Sequence, residues 1–343
     1  MSKQKTNPLL TAPASIRSAM EIRPPVIVVG LPRSGSSFLA DILSQIQGLY
    51  VFDDLYLYRE AKSIGADTGY LSEAQLDRLL FFLGWQIRAR LKHGTFSVPN
   101  MDLEDVDIMN SALRQLYIGQ QVRWHELLEE WMMRLAINQG ATRWGYKAPQ
   151  DFLNIDLLKE IFPGVKFIFI QRDPREMMRS LKYVHDTDGN PKQYHPIAYS
   201  IYWKSCANKM AKLKHENNDF LTVKFEAMAA SPSATVAELA EYLELPAPND
   251  LQVKKQNSSF QNKTKQELSS TEIWLIEKII GRDMEICDYQ LSGCKPSLMG
   301  FWGVLKVSFI FTGYQISRVF KKKSALVSIK TFLSSISHTK SSQ

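Results

Sequence analysis

The sequence has few of the residues that build disulfide frameworks or metal sites. Its 343 residues include three cysteines, Cys206, Cys287 and Cys294, and these form no C-x-x-C pair. A reducing compartment is therefore expected, although a bridge between Cys287 and Cys294 stays open. No group of His, Cys and Asp residues has the spacing of metal ligands, so the sequence predicts a protein that needs no metal.

We expect no leader at the start of the sequence, and find no internal repeat or low-complexity linker in it. Residues 1–22 are polar and lack the apolar core of a signal peptide, so we expect a flexible terminus and a cytoplasmic location. The whole chain is 45% hydrophobic and 22% charged, which is typical of an enzyme-sized globular protein. We expect one domain over residues 23–295, followed by a tail over residues 296–343.

A glycine-bounded loop follows the first predicted buried strand. It runs from Gly30 to Ser37 and has the spacing of a P-loop, except that Ser36 stands where that motif has lysine. The lysine reaches the terminal phosphates of a nucleoside triphosphate, so its absence argues against ATP chemistry. Backbone amides at a helix N-terminus, hydroxyl groups and one guanidinium still suit an oxyanion. The predicted binding residues are Pro32, Arg33, Ser34, Gly35, Ser36 and Ser37.

A second predicted anion site follows another buried strand. Residues 165–170 are β-branched and aromatic, and the segment after them contains Arg172, then Pro174 in the first turn of a helix, then Ser180. Ligands of open α/β sheets bind at the carboxyl ends of strands, where Arg172 would lie. An arginine fork with a hydroxyl suits a phosphate. The sequence therefore predicts an α/β fold with two separate anion sites.

Taken in order, these segments resemble the sulfotransferases that use 3′-phosphoadenosine 5′-phosphosulfate. Two further stretches agree with that family: residues 144–149, which contain a lysine, and residues 223–243, which contain a strand and an amphipathic helix. The likeness covers about residues 24–290. It implies a P-loop-like three-layer sandwich around a central parallel sheet. It also implies that the loop holds the 5′-phosphosulfate, and that Arg172 and Ser180 hold the 3′-phosphate.

The resemblance further implies which residues act on the sulfuryl donor. Lys147 matches the family lysine that contacts the bridging region of the donor, and Arg33 would help it to neutralise the developing charge. Ser258 and Ser259 resemble a late family segment that closes on the donor. We therefore expect Lys147 and Arg33 to act in catalysis, and both serines to bind the donor.

The resemblance leaves the general base open. Cytosolic members carry a histidine two residues after the lysine, where this chain has Pro149. Tyrosylprotein and carbohydrate members use a carboxylate, and its place is matched best by Asp54, with Asp53 beside it and Glu60 as the nearest alternative. The two histidines after the second phosphate motif are expected to line the pocket or the surface: His185 and His195.

Between the two anion motifs lies a long insertion, residues 55–143, with helical periodicity. Its apolar positions predict two main helices, one around residues 76–87 and one around residues 122–135. These stripes are expected to be core, while the insertion caps the open edge of the sheet and shapes an acceptor pocket. A carbohydrate, a lipid-linked sugar, a small alcohol or a tyrosyl peptide would each suit such a pocket.

The net charge of +7 lies in the carboxyl-terminal tail. Residues 296–343 hold seven of the 42 bases and no acid, which leaves 42 − 7 = 35 bases against 35 acids elsewhere. The aromatic run at residues 298–314 contains Lys306 and three glycines, which weakens it as a membrane span. We expect it to contact an anionic membrane surface together with lysines 321–323. Packing on the protein or a partner, and a true span, are the alternatives; no nucleic-acid-binding module accompanies the bases.

Two functions outside sulfuryl transfer stay open. A P-loop nucleotide kinase or triphosphatase would need the missing lysine and an aspartate that holds magnesium. A catalytically silent relative would keep the fold and bind a membrane or partner without turning over the donor. The favoured expectation is transfer of a sulfuryl group from 3′-phosphoadenosine 5′-phosphosulfate to a hydroxyl acceptor.

Overall fold

The centre of the structure, a computed structural model, is a parallel β-sheet. The structure describes residues 15, 23–93, 98, 100–183, 194–216, 219–252 and 267–321. Within them the sheet has five strands in the order β2-β3-β1-β4-β5, and each neighbouring pair is parallel. The strands are β1 (Val26–Gly30), β2 (Leu49–Phe52), β3 (Arg143–Lys147), β4 (Lys166–Gln171) and β5 (Phe220–Lys224).

Helices connect the strands and cover the sheet. A short 3-10 helix, Pro149–Asn154, follows β3 directly. In chain order the described α-helices are α1 (Ser36–Leu43), α2 (Leu57–Ser63), α3 (Glu73–His93), α4 (Leu103–Tyr117), α5 (Trp124–Asn138), α6 (Ile155–Ile161), α7 (Pro174–Tyr183), α8 (Pro196–Glu216), α9 (Phe225–Ala230), α10 (Pro232–Leu243), α11 (Ser270–Ile286) and α12 (Leu298–Lys321).

The two faces of the sheet belong to two separate apolar clusters. Alternate residues of a strand point to opposite faces, so Ile27 and Val29 enter one cluster while Val26 and Val28 enter the other. The first cluster includes residues of α3, α5, α8 and α11, and the second includes residues of α1 and α10. The predicted three-layer α/β sandwich with a central parallel sheet is therefore confirmed.

The insertion at residues 55–143 is helical, as predicted, and shares the first apolar cluster. The buried stripe of α3, which includes Leu79 and Leu83, lies in the same cluster as β1. The second predicted helix begins at Trp124, so Val122 precedes it. The insertion thus packs on one face of the sheet and brings α3 close to the end of β2. The proposed domain boundaries stay predictions.

The aromatic run of the tail forms the first part of α12. One face of this helix packs on the body of the protein, where Val304 is buried and the rings of Phe301 and Trp274 make an edge contact. No helix within the described ranges is both long enough and apolar enough to cross a membrane. The expected flexible terminus, apart from Ser15, and the lysines at 322 and 323 lie outside the described residues.

The three cysteines are free thiols. Cys206 is buried, and Cys287 and Cys294 are partly exposed. The bridge between Cys287 and Cys294 that the sequence left open is therefore not formed.

Candidate functional site

The predicted anion loop joins β1 to α1 through a tight turn. The Ser34 amide donates to the Leu31 carbonyl oxygen over 3.2 Å. Arg33 and Gly35 have φ values of 70° and 91°, and a Cβ atom at Gly35 would lie 2.2 Å from the Phe225 ring. Only glycine fits this second position without displacing the ring. Since α1 begins directly after Gly35, the amides of its first turn lie at the loop, where they can bind an anion.

Arg33 joins the two anion sites that were predicted to be separate. Its Nε donates to the Ser180 hydroxyl over 3.0 Å, and its carbonyl oxygen accepts from Nη1 of Arg172 over 2.9 Å. The two predicted sites are therefore in contact, because the loop itself contacts the strand-end pair; that they bind two anions stays a prediction. The sequence alone did not indicate this contact, because Arg33 and Ser180 are 147 residues apart.

Arg172 is fixed through its backbone carbonyl, one guanidinium nitrogen and the face of an aromatic ring. Its carbonyl oxygen accepts from the indole of Trp203 over 3.3 Å, and its Cζ lies 4.3 Å from the centre of the Phe225 ring. Its Nε is buried and has no hydrogen-bond partner within the described residues. Burial lowers the pKa of Arg172, and burial together with the charge of Arg172 lowers the pKa of Arg33. Two neighbouring guanidinium groups in a partly buried site favour the binding of an anion.

Lys147 brings an ammonium group to the loop from β3. Its Nζ donates to the Ser37 hydroxyl over 3.1 Å and lies 2.7 Å from Asp53 Oδ1 and 2.8 Å from Asp54 Oδ1. The Lys147 side chain is only 3% exposed. The loop has serine where a P-loop has lysine, and here a lysine from the neighbouring strand supplies the positive charge.

The two aspartates after β2 differ in what they can reach. Asp53 is buried, and that burial raises the pKa of its carboxyl group against the opposing charge of Lys147. The Asp54 side chain is 40% exposed and accepts a hydrogen bond from the Tyr56 hydroxyl over 3.1 Å. The Leu55 amide donates to the Lys147 carbonyl oxygen over 3.0 Å, which ties this turn to β3. Asp54 is therefore the aspartate of this pair that an acceptor can reach.

Sequence reasoning missed Arg90, which supports the aspartate turn from α3. Its Nη2 donates to the Asp53 carbonyl oxygen, its Nη1 donates to the side-chain oxygen of Gln86, and its Cζ lies 4.2 Å from the centre of the Phe52 ring. The signal was present in the sequence. Gln86 and Arg90 continue the buried stripe of α3, where polar residues need partners.

Asp151 is a second residue that sequence reasoning missed. Its carboxylate accepts from the Tyr146 hydroxyl and from the Asn154 side-chain amide, each over 3.2 Å. Burial raises the pKa of Asp151 to about 6. The pKa of Tyr56 is raised by burial first and then by the charges of Asp54 and Asp151, so Tyr56 lies near both carboxylates. The sequence around Asp151 gave no signal of this burial.

The remaining candidates lie elsewhere or are not described. Glu60 forms an ion pair with Arg78 at 3.0 Å. His195 lies between α8 and α12, where its Nε2 is 2.9 Å from the Ser308 hydroxyl. Among the described residues, no three His, Cys, Asp or Glu side chains are grouped to hold a metal ion. Three predicted residues lie outside the described residues: His185, Ser258 and Ser259.

Comparisons with known proteins identify one family. A family model described as the sulfotransferase family matches residues 24–249, a segment that includes the loop, Lys147, Arg172 and Ser180. No curated protein matches the chain significantly.

Two solved structures illustrate the likeness. The sulfotransferase domain from the curacin biosynthetic pathway is 16% identical, with a TM-score of 0.47, and the match covers 79% of this chain and 100% of that domain. A sulfotransferase from Alicyclobacillus acidocaldarius is 14% identical, with a TM-score of 0.43, and the match covers 80% of this chain and 100% of that one.

We expect Asp151→Asn to remove a pH-dependent destabilisation of the fold. The pKa of Asp151 rises from an ordinary 3.8 to about 6 on folding, so the folded chain holds this proton more tightly than the unfolded chain. The stabilisation from this proton is fully present below the unfolded pKa and is lost as pH rises to about 6. The unfolding free energy of the variant minus that of the wild type should therefore increase across this window and then stay level.

Urea denaturation at a series of pH values measures this difference. The matched control is Asp156→Asn, because Asp156 is exposed. A difference that stays flat between pH 4 and 6 for Asp151→Asn would show that the Asp151 carboxyl titrates normally in the folded protein.

Proposed function

Because the chain belongs to the sulfotransferase family, we propose that it transfers a sulfuryl group from 3′-phosphoadenosine 5′-phosphosulfate to a hydroxyl acceptor. The observation that carries the proposal is the position of Arg33, which contacts Ser180 and Arg172 from within the loop. One continuous basic site thus lies at the carboxyl ends of β1 and β4. A nucleotide with two separate phosphate groups matches such a site better than a single anion does.

The residues of the site fit this donor. We propose that the loop residues 32–37 hold the 5′-phosphosulfate through backbone amides and the hydroxyls of Ser36 and Ser37. Arg172 and Ser180 would hold the 3′-phosphate, and the buried Nε of Arg172 has a donor to offer. Ser258 and Ser259 stay proposed donor contacts on the strength of the family resemblance alone.

The reaction needs stabilisation of the leaving group and removal of one proton. The bound donor would supply the sulfuryl group, with adenosine 3′,5′-bisphosphate as the leaving group. As the acceptor oxygen bonds to sulfur, the bond from sulfur to the phosphate oxygen breaks and its electron pair stays on that oxygen. Lys147 and Arg33 hold positive charge at the loop, where they stabilise this negative charge.

Asp54 is proposed as the base that takes the acceptor proton. It is partly exposed, it lies beside Lys147, and the Tyr56 hydroxyl fixes one of its oxygens. Asp53 is buried behind it and holds the other side of the Lys147 ammonium group. The proposed base is therefore a carboxylate, and Asp53 serves to position the Lys147 ammonium group.

The two other functional classes have less support. Family membership favours sulfuryl transfer over phosphoryl transfer from ATP. A silent relative could have lost the groups that act in the transition state, whereas Lys147, Asp54 and both arginines are brought together at one edge of the sheet. The acceptor can be a carbohydrate, a lipid-linked sugar, a small alcohol or a tyrosyl peptide.

We expect adenosine 3′,5′-bisphosphate to raise the melting temperature more than ATP does. A ligand that binds only the folded state stabilises it, and only the bisphosphate presents phosphates to both parts of the basic site. Arg172→Ala should weaken bisphosphate binding by roughly tenfold to a hundredfold, because a charged hydrogen bond is lost. Thermal shift and calorimetric titration measure both effects.

The control for this variant is Arg114→Ala, which removes an arginine on the surface of α4 that pairs with Asp77. Bisphosphate binding should be unchanged in this control. Equal stabilisation by ATP and the bisphosphate, or equal losses in both arginine variants, would contradict the proposed donor site.

We expect Lys147→Ala and Asp54→Asn to lower turnover without weakening bisphosphate binding. Both groups are proposed to act on the reacting atoms, which the bisphosphate lacks, so each loss should be at least about a hundredfold in kcat. Glu60→Gln is the control, since Glu60 pairs with Arg78. Lys147→Ala also leaves the buried Asp53 without its cation, so the melting transition of this variant must be checked.

Turnover is followed with labelled donor and an extract fraction that accepts the label. An unchanged rate in Asp54→Asn, with a loss in Glu60→Gln, would move the base to Glu60. A parallel loss of bisphosphate affinity in Lys147→Ala would show that Lys147 binds the donor instead of stabilising the leaving group.

A further inference from the structure

Helix α12 has two apolar sides, and the body of the protein covers only one of them. On the inner side Val304 is buried and the Phe301 ring meets Trp274. The ring of Phe311 lies 5.2 Å from that of His195, which also contacts the Ser308 hydroxyl. These contacts fix the orientation of the helix on α8 and α11.

Another side of the helix, about 100° around its axis from these contacts, carries a row of exposed apolar side chains. Their spacing of four, three, four and seven residues places them along one line of the helix. They are between 48% and 84% exposed, although large apolar residues of this kind are usually buried. The row extends over about 27 Å at 1.5 Å per residue. We call it the outer stripe, and its members are Leu298, Trp302, Leu305, Phe309 and Ile316.

The charge of the surrounding chain indicates what the outer stripe contacts. Residues 296–343 hold seven bases and no acid, whereas the rest of the chain has equal numbers of each. Lys306 is exposed on the helix itself, beside the stripe. Two copies of this segment facing each other would bring like charges together, whereas an anionic surface would neutralise them.

We propose that the outer stripe of α12 lies on an anionic membrane surface and holds the body of the protein against it. An interfacial helix of this kind presents Trp, Phe and Leu to the boundary of the acyl chains, while nearby bases meet the headgroups. Its other side would ordinarily be polar and face water. Here that side packs on α11, so the helix connects the membrane to the enzyme.

The two sides of α12 reconcile two expectations about the tail. Packing on the protein and contact with a membrane were alternatives in the sequence, because periodicity alone does not show which apolar residues face the core. The structure assigns Val304 and Phe311 to the body and leaves the outer stripe for a partner. The proposal does not depend on the sulfuryl-transfer chemistry.

Sedimentation with lipid vesicles tests the proposal on the full-length protein. One set of vesicles contains phosphatidylcholine alone, and in the other about a third of the lipid is phosphatidylglycerol. The test variant is Trp302→Glu with Phe309→Glu, which places two acids on the outer stripe. The matched control is Phe81→Glu with Trp85→Glu, which replaces two exposed aromatic residues on α3 with the same charge change.

We expect the wild type to bind the anionic vesicles at least about tenfold more tightly than the neutral ones, and to bind less tightly at high salt. The stripe variant should lose at least about tenfold in anionic-vesicle binding, and the control should stay within about twofold of the wild type. Both variants should keep the wild-type melting transition, because the four replaced side chains are exposed.

Three results would overturn the proposal. The first is a wild type that binds neither kind of vesicle. The second is an equal loss in the stripe and control variants, which would show that overall charge governs binding. The third is a lipid-free dimer, seen by light scattering, that the stripe variant converts to a monomer, because the stripe would then bind a second copy. If the glutamates lower the melting temperature, Trp302→Ser with Phe309→Ser replaces them with neutral side chains.

Discussion

The site depends on one interaction, the pairing of the buried Lys147 ammonium group with two aspartates. A buried charge is costly unless it is paired, and this one lies within 2.8 Å of Asp53 and Asp54 and donates to Ser37. These contacts connect the ends of β2 and β3 to the anion loop after β1. Arg90 holds the aspartate turn from the other side. The helical insertion therefore supports the aspartate turn at the sheet edge as well as the core.

Local patterns predicted several elements of the fold, and the family resemblance implied how they are arranged. Apolar runs bounded by turn residues predicted β1 and β4, and the parallel three-layer sandwich is confirmed. Helical spacing identified α3 and α5, with an error of two residues at the start of α5. The loop from Pro32 to Ser37 was recognisable because a phosphate-binding turn needs a fixed spacing of small and polar residues. The roles of individual site residues stay predictions.

Contacts between distant parts of the chain were harder to predict. Arg33 reaches Ser180, and Arg90 reaches Asp53, because the strand order places separate segments side by side. Asp151 was missed for another reason. Its importance comes from burial and from two hydrogen bonds, and neither is visible in a short run of sequence. The outer face of α12 could not be separated from its inner face until its contacts were known.

The central proposal is that the basic site and Lys147 serve sulfuryl transfer to a hydroxyl group. The most direct test incubates the protein with donor carrying radiolabelled sulfate and with fractionated cell extract, with Lys147→Ala as the inactive comparison. We expect label to move from the donor to one fraction only in the presence of the wild type, and adenosine 3′,5′-bisphosphate to be released in equal amount. Bisphosphate binding without label transfer to any fraction would contradict it.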